Sequence, residues 1–316
     1  MSVISVEGLI VDYGPVRAVE GVDLEIGRGE VYALLGENGA GKTSTVEVLE
    51  GLRTRSGGRV EVLGHDPASG SRDLRDRVGI VLQTSGVERQ LSVAEAVARY
   101  GATYRRPRAV AEVLELVGLD DRADVRCGAL SGGQQRRLDL ALGIVGSPEV
   151  LFLDEPTTGF DPSARRKAWN LVEALRSDGM TVVLTTHYLD EAEHLADRVG
   201  VMSAGRLVVE GTPSELQRRS GRTLVSARVA GTATDVEAIR DVIRPLAERV
   251  TVDGDRIEVL TSEVTAALQA LSGWSIGRGV DLVSWSVAQP SLEQVFLDLT
   301  AATPAGPDPT AGVDDV

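Results

Sequence analysis

The sequence predicts an α/β fold: a mixed sheet with a helical subdomain, followed by a small α+β domain. Three observations lead there. The apolar run Val31-Tyr32-Ala33-Leu34-Leu35, the glycine-rich stretch after it, and Thr45-Val46-Glu47-Val48-Leu49 read as strand, loop and helix. Two more runs, at 78–82 and 150–153, are apolar nearly throughout, as strands buried on both faces should be, and Thr181-Val182-Val183-Leu184-Thr185-Thr186 reads as the next buried strand. Beyond residue 221, short strands and helices follow in the order βαββαβ.

Composition narrows the classes. The chain has 316 residues, enough for two domains. Apolar residues make up 42% but aromatics only 3%, so Val, Leu and Ala must fill the core. A formal charge of −14 argues against nucleic acid as a partner. The single cysteine, Cys127, rules out an intrachain disulfide and reads as a small buried hydrophobe. The opening residues lack the basic region and long apolar core of a secretory signal. No apolar run approaches the roughly 18 residues that span a bilayer, so a membrane role calls for a partner chain.

The loop Gly36-Glu37-Asn38-Gly39-Ala40-Gly41-Lys42-Thr43-Ser44 fits G-x-x-x-x-G-K-[ST] and lies between a strand and a helix, the context this motif needs. Its glycines let successive N–H groups point inward, and the helix start adds its dipole, so the loop suits phosphates. Lys42 would reach the β- and γ-phosphates, and the Thr43 hydroxyl would ligate Mg²⁺. Only two lysines, Lys42 and Lys167, occur among 33 basic residues, so a chain that otherwise uses Arg keeps a Lys here. The spacing is not G-x-G-x-x-G, which disfavours a dinucleotide fold.

In chain order, Val3 to Val11 alternates as a strand, and Tyr13 follows it, either packing or stacking on a base. Val22–Ile26 and Arg59–Leu63 are further short strands. The strand at 78–82 ends in Gln83, a polar cap or, beside a nucleotide, a Mg²⁺ ligand that positions water. Val93, Ala96, Val97 and Tyr100, then Val110, Val113, Leu114 and Val117, recur at helical spacing and mark the inserted subdomain, about residues 88–148. Leu130-Ser131-Gly132-Gly133-Gln134 starts a helix with Ser131 as N-cap, either a flexible turn or a second anion-binding helix end. The strand at 150–153 delivers Asp154 and Glu155 to its carboxyl end, where α/β sheets bind ligands. Asp154 is placed to hold Mg²⁺ and Glu155 to orient water. Neighbours on a strand point to opposite faces, so two roles are natural. Pro162 opens a helix, and the strand at 181–186 ends at His187, in the same crevice. His65 and His194 show no ligand spacing, and a zinc site is rejected.

Together these pieces resemble the nucleotide-binding domain of ATP-binding-cassette (ABC) transporters, a P-loop NTPase fold, over about residues 3–220. The resemblance rests on the phosphate loop, Gln83, residues 130–134, Asp154, Glu155, Asp161 and His187. It implies two cassettes packed head to tail around two ATP molecules with Mg²⁺. Each site would pair one chain's Lys42 loop with the other chain's Ser131, Gly132, Gly133 and Gln134. Tyr13 would then stack on adenine, Glu155 would be the catalytic carboxylate, and His187 would contact the γ-phosphate. Thr186-His187-Tyr188-Leu189-Asp190-Glu191-Ala192-Glu193 and Pro290-Ser291-Leu292-Glu293-Gln294-Val295-Phe296-Leu297 resemble exporter ATPases of the daunorubicin-resistance type. The resemblance implies a peripheral subunit on the cytoplasmic face of the membrane, partnered by a permease. An importer ATPase and a soluble cassette without a membrane partner are the alternatives.

Residues 221–300 make the second unit, whose βαββαβ order predicts a ferredoxin-like domain with an Asp253-Gly254-Asp255 hairpin. It carries no catalytic constellation, and dimer support or regulation is its expected role. Residues 301–316 are acidic and Pro/Gly/Ala-rich, and are expected to be disordered.

Overall fold

A computed structural model describes residues 2–81 and 86–301. The described chain divides into two compact units at Pro213–Ser214. The dividing point precedes the sequence-based boundary at 220, and places the helix that starts there with the second unit.

In the first unit, β1 (Ser2–Tyr13) pairs antiparallel with β2 (Val16–Gly27) around a short turn. Each strand alternates buried and exposed residues, so one face meets the core. The interior strand β3 (Val31–Gly36) is buried at every position and runs into α1 (Lys42–Leu49). β4 (Gly57–Val62) then adds to β1, giving the three-stranded order β2-β1-β4. A short α2 (Arg72–Arg75), capped by Ser71, precedes the parallel strand β5 (Val78–Val81).

The inserted helices follow. A reciprocal capping box of Ser92 and Glu95 starts α3 (Val93–Gly101), which buries Val93, Ala96 and Val97. Tyr100 shares that stripe by spacing but lies in the last turn of the helix, where it is exposed. α4 (Val110–Leu116) buries Val113 and Leu114, and α5 (Gly132–Ile144) completes the insertion.

The chain then returns to the sheet through β6 (Val150–Asp154), α6 (Pro162–Ser177), β7 (Thr181–Thr186) and α7 (Leu189–Leu195). β8 (Arg198–Ser203) and β9 (Arg206–Gly211) finish it. The six-stranded order is β5-β6-β7-β3-β8-β9, parallel except for the β8–β9 pair. Four neighbouring parallel strands, β5, β6, β7 and β3, therefore end on one edge. Register brings Asp154 opposite Thr185 and Leu35 opposite Thr186.

The second unit starts with α8 (Pro213–Arg219). It continues through β10 (Thr223–Val229), α9 (Ala233–Ile243), β11 (Arg249–Asp253), β12 (Arg256–Thr261), α10 (Val264–Arg278), β13 (Leu282–Ala288) and α11 (Leu292–Ala301). Its sheet is antiparallel throughout, in the order β11-β12-β10-β13, with the two βαβ halves interleaved. Ile239, Ile243, Ile257, Val259 and Leu271 form its own core.

Phe152 is fully buried on β6 beside the site-bearing end. Phe152→Ala removes it without relief from solvent. The expected loss is about 3–5 kcal/mol, read from the urea unfolding midpoint.

Candidate active site

The phosphate loop is shaped by backbone positions that exclude side chains. Gly41 has φ +98° and stands where an added Cβ would lie 2.5 Å from the Ala18 carbonyl oxygen. A Cβ on Gly36 would meet the Met202 carbonyl oxygen at 2.6 Å. Both glycines are thus required by close backbone approach, and Gly41 by conformation as well. Lys42 is 5% exposed and its Nζ donates to the Gly36 and Glu37 carbonyls, at 2.8 and 3.0 Å. Burial lowers its pKa from the usual lysine value, opposed by the nearby carboxylates of Glu155, Asp154 and Glu37. Thr43 and the loop tip at Glu37, Asn38 and Gly39 are exposed, whereas Ala40 is buried and Ser44 partly so.

Across the sheet edge, Asp154 ends β6 and its Oδ1 accepts the Thr185 hydroxyl from β7. Glu155 is not a strand residue: its φ is +43°, a left-handed turn. The expectation that the pleat separates the two carboxylates is therefore corrected; a backbone turn separates them. That turn is held by named bonds. The Glu155 N–H donates to Thr185 Oγ1 at 3.1 Å, and the Glu155 side chain accepts from Thr158 Oγ1 at 3.0 Å and pairs with His187 Nδ1 at 3.0 Å. From α5, Arg136 donates to the carbonyls of Asp154 at 2.8 Å, Glu155 at 3.3 Å and Pro156 at 3.3 Å. Burial alone would raise the Glu155 carboxyl. The His187 and Thr158 bonds, with electrostatic attraction to His187 and Lys42, more than offset this and hold it below the usual glutamate range. An ionised Glu155 can only accept, so His187 Nδ1 carries the proton of their bond.

A second helix start faces solvent. Ser131 caps α5, its Oγ accepting from Gln134 N–H and its own N–H donating to Gln134 Oε1. The box locks the start while Gly132 and Gly133 leave open space where side chains would stand. A cavity of about 800 Å³ separates Gly132 and Gly133 from Glu155, Thr158 and Gly159.

A family model described as ABC transporter matches residues 19–158. The daunorubicin resistance ATP-binding protein DrrA3 of Streptomyces coeruleorubidus is 41% identical over 307 residues, covering 94% of this chain and 95% of its own. The chain belongs to the ABC transporter ATP-binding proteins. The Nod factor export ATP-binding protein I of Ralstonia nicotianae is 34% identical over 304 residues, covering 94% of each chain. A solved dimeric bacterial ABC transporter cassette shares the fold, with a TM-score of 0.60 and 24% identity over 66% of this chain and 98% of that one. The protein is thus a nucleotide-binding ATPase of this family.

Within this ABC cassette the structure brings Lys42, Asp154, Glu155 and His187 to one edge. Tyr13 also reaches the loop: its hydroxyl is 3.0 Å from Ser44 Oγ, and the Arg53 guanidinium lies 4.2 Å from its ring centroid. Gln83 lies outside the described residues. Cys127 is buried, and His65 and His194 sit beside Asp73 and Glu173. Sequence reasoning did not assign Thr158, Thr185, Arg136 or Glu50. Thr185 had a signal, a hydroxyl at the end of an apolar strand. Arg136 had none, because its partners are 18 to 20 residues away, and Glu50 had none, because its burial follows from the tertiary fold.

Glu50 caps the C-terminus of α1, and its Oε1 is buried with no hydrogen-bond partner. Burial, with repulsion from Asp154 and Glu47, pushes its carboxyl up to about 8. The folded chain therefore holds this proton where the unfolded chain has lost it. Its contribution to stability is full below the usual glutamate value of 4.5, falls as pH rises above it, and is lost once pH has risen through about 8. Glu50→Gln should melt near wild type below pH 4.5, increasingly above wild type between 4.5 and about 8, and by a constant margin beyond; scanning calorimetry across that range measures the gap.

Proposed function

We propose that this chain is the ATP-hydrolysing subunit of an exporter, working as a two-copy ATP sandwich at the cytoplasmic face of the membrane with a separate permease. Export is supported by the relatives, whose names describe daunorubicin resistance and Nod factor export. No helix of the described residues is long and apolar enough to cross a membrane, so the transport path belongs to another chain. The two-copy arrangement is supported by the exposed start of α5 and by the dimer of the solved cassette.

The observation that carries the chemistry is Glu155, held ionised by His187 and Thr158 at the edge shared with Lys42. Glu155 orients and polarises the attacking water. His187 fixes the Glu155 oxygen through Nδ1 and meets the γ-phosphate side through its other nitrogen. Lys42 exchanges its loop carbonyls for β- and γ-phosphate oxygens, and the loop N–H groups take the rest. Tyr13 offers its ring to adenine from the position fixed by Ser44 and Arg53. Gly132 and Gly133 of the second copy close the site, anchored by Ser131 and Gln134.

Among the described residues, no three His, Cys, Asp or Glu side chains gather into a metal site. The donors at hand are the Asp154 carboxylate and the exposed Thr43 hydroxyl; Gln83, expected from the sequence as a third, lies outside the described residues. Mg²⁺ takes few protein oxygens and keeps substrate phosphates and water, so this set fits it. When bound, it would neutralise phosphate charge.

Glu155→Gln keeps shape and removes the base. ATPase turnover should fall about 10²–10⁴-fold while ATP affinity stays near wild type. Wild-type turnover in this variant would overturn the assignment. Lys42→Ala should weaken ATP binding about 10–100-fold in equilibrium titration, the loss of a charged hydrogen bond to phosphate.

A further inference from the structure

We propose that Arg136 is a positioning residue that couples the two half-sites of one chain, passing the state of the α5 start to Glu155. This rests on reading that start as the part of the site lent to a second copy. Arg136 lies five residues after the Ser131 cap, so about 7.5 Å along a rigid helix. It is 9% exposed, and its guanidinium reaches three consecutive carbonyls after β6. A cavity lies between Gly132–Gly133 and Glu155–Gly159, lined also by Gln135, Arg136 and Asp139. Arg136 spans it.

The geometry makes the link stiff. The Glu155 peptide N–H is tied to Thr185 on β7 and its carbonyl to Arg136 on α5. The left-handed φ of +43° is set between these two anchors. When phosphate draws the α5 start toward a second copy, the guanidinium must move with the helix. It then shifts the Glu155 carbonyl, and the carboxylate turns relative to His187 and Thr158. Engagement at one site thereby adjusts the base at the other. A planar fork is needed for this. Lysine would offer one nitrogen in place of the two, Nε and Nη2, that Arg136 spreads from Pro156 to Asp154.

The test measures ATPase rate against ATP concentration for wild type, Arg136→Lys and Arg136→Gln, with ATP affinity and melting temperature for each. The expected wild type is cooperative, with a Hill coefficient approaching the two sites of the dimer. Arg136→Lys should keep ATP affinity within about 2-fold, lower kcat about 10–100-fold as a misplaced catalytic group does, and bring the Hill coefficient to about 1. Arg136→Gln should do the same or more. A merely structural role would lower melting temperature and kcat and leave the Hill coefficient unchanged, which would overturn the proposal. Arg136→Lys with wild-type cooperativity and kcat would overturn it as well. A wild type with a Hill coefficient of 1 would overturn the two-copy reading and the coupling with it, whereas a cooperative wild type beside an unchanged variant removes the coupling alone.

Discussion

Three carbonyls at the end of β6, those of Asp154, Glu155 and Pro156, leave the sheet together and need donors. A buried carbonyl left unpaired costs about 1–3 kcal/mol, and within the turn the Glu155 carbonyl also accepts from the Thr158 N–H at 3.3 Å. Arg136 meets all three from another part of the chain. The turn can then take the left-handed φ that aims Glu155 at His187 and Thr158. Thr185 completes the arrangement by joining Asp154 and the Glu155 N–H through one hydroxyl. The direction of each carboxylate depends on this set of donors.

The phosphate loop works under a different constraint. Gly36 and Gly41 approach the Met202 and Ala18 carbonyls so closely that no Cβ fits. The loop is therefore drawn against the sheet with its N–H groups free to turn inward. Lys42 is buried in this curl and held by two of the loop's own carbonyls. A buried ammonium is costly unless paired, and those carbonyls are neutral. An incoming phosphate offers a better partner, so binding relieves a cost already present in the free loop.

What the sequence made legible follows local backbone rules. The glycine spacing, Ser131 as N-cap, Pro162 at a helix start, and the polar residues ending apolar strands all follow from short-range sterics and hydrogen bonding. The βαββαβ order of the second unit was legible for the same reason, since each element shows its own period. The bonds that organise the site were not. Arg136 and Asp154 are 18 residues apart, and Thr185 and Asp154 are 31 apart. Their meeting depends on the order β6-β7 and on where α5 crosses the edge, which no spacing encodes. The left-handed turn at Glu155 was likewise hidden. A non-glycine residue gives no local sign of positive φ when the tertiary structure imposes it.

Glu50 and Glu155 sharpen the chemistry by contrast. Both feel other charges of the same edge, yet one is pushed up to about 8 and the other held below the glutamate range. Burial comes first in raising Glu50, and donors decide the contrast with Glu155. Glu155 has Thr158 and His187, with Lys42 nearby. One Glu50 oxygen is buried without a donor, and its strongest named neighbours, Asp154 and Glu47, are acidic. Environments that drive two acids apart assign their protonation states. At neutral pH Glu155 is the acceptor that can take a water proton. Glu50 keeps its own proton, and by staying neutral it spares Asp154 a second negative charge. The single buried ammonium of Lys42 then faces Asp154 and Glu155 instead of three buried carboxylates, and remains free to meet phosphate.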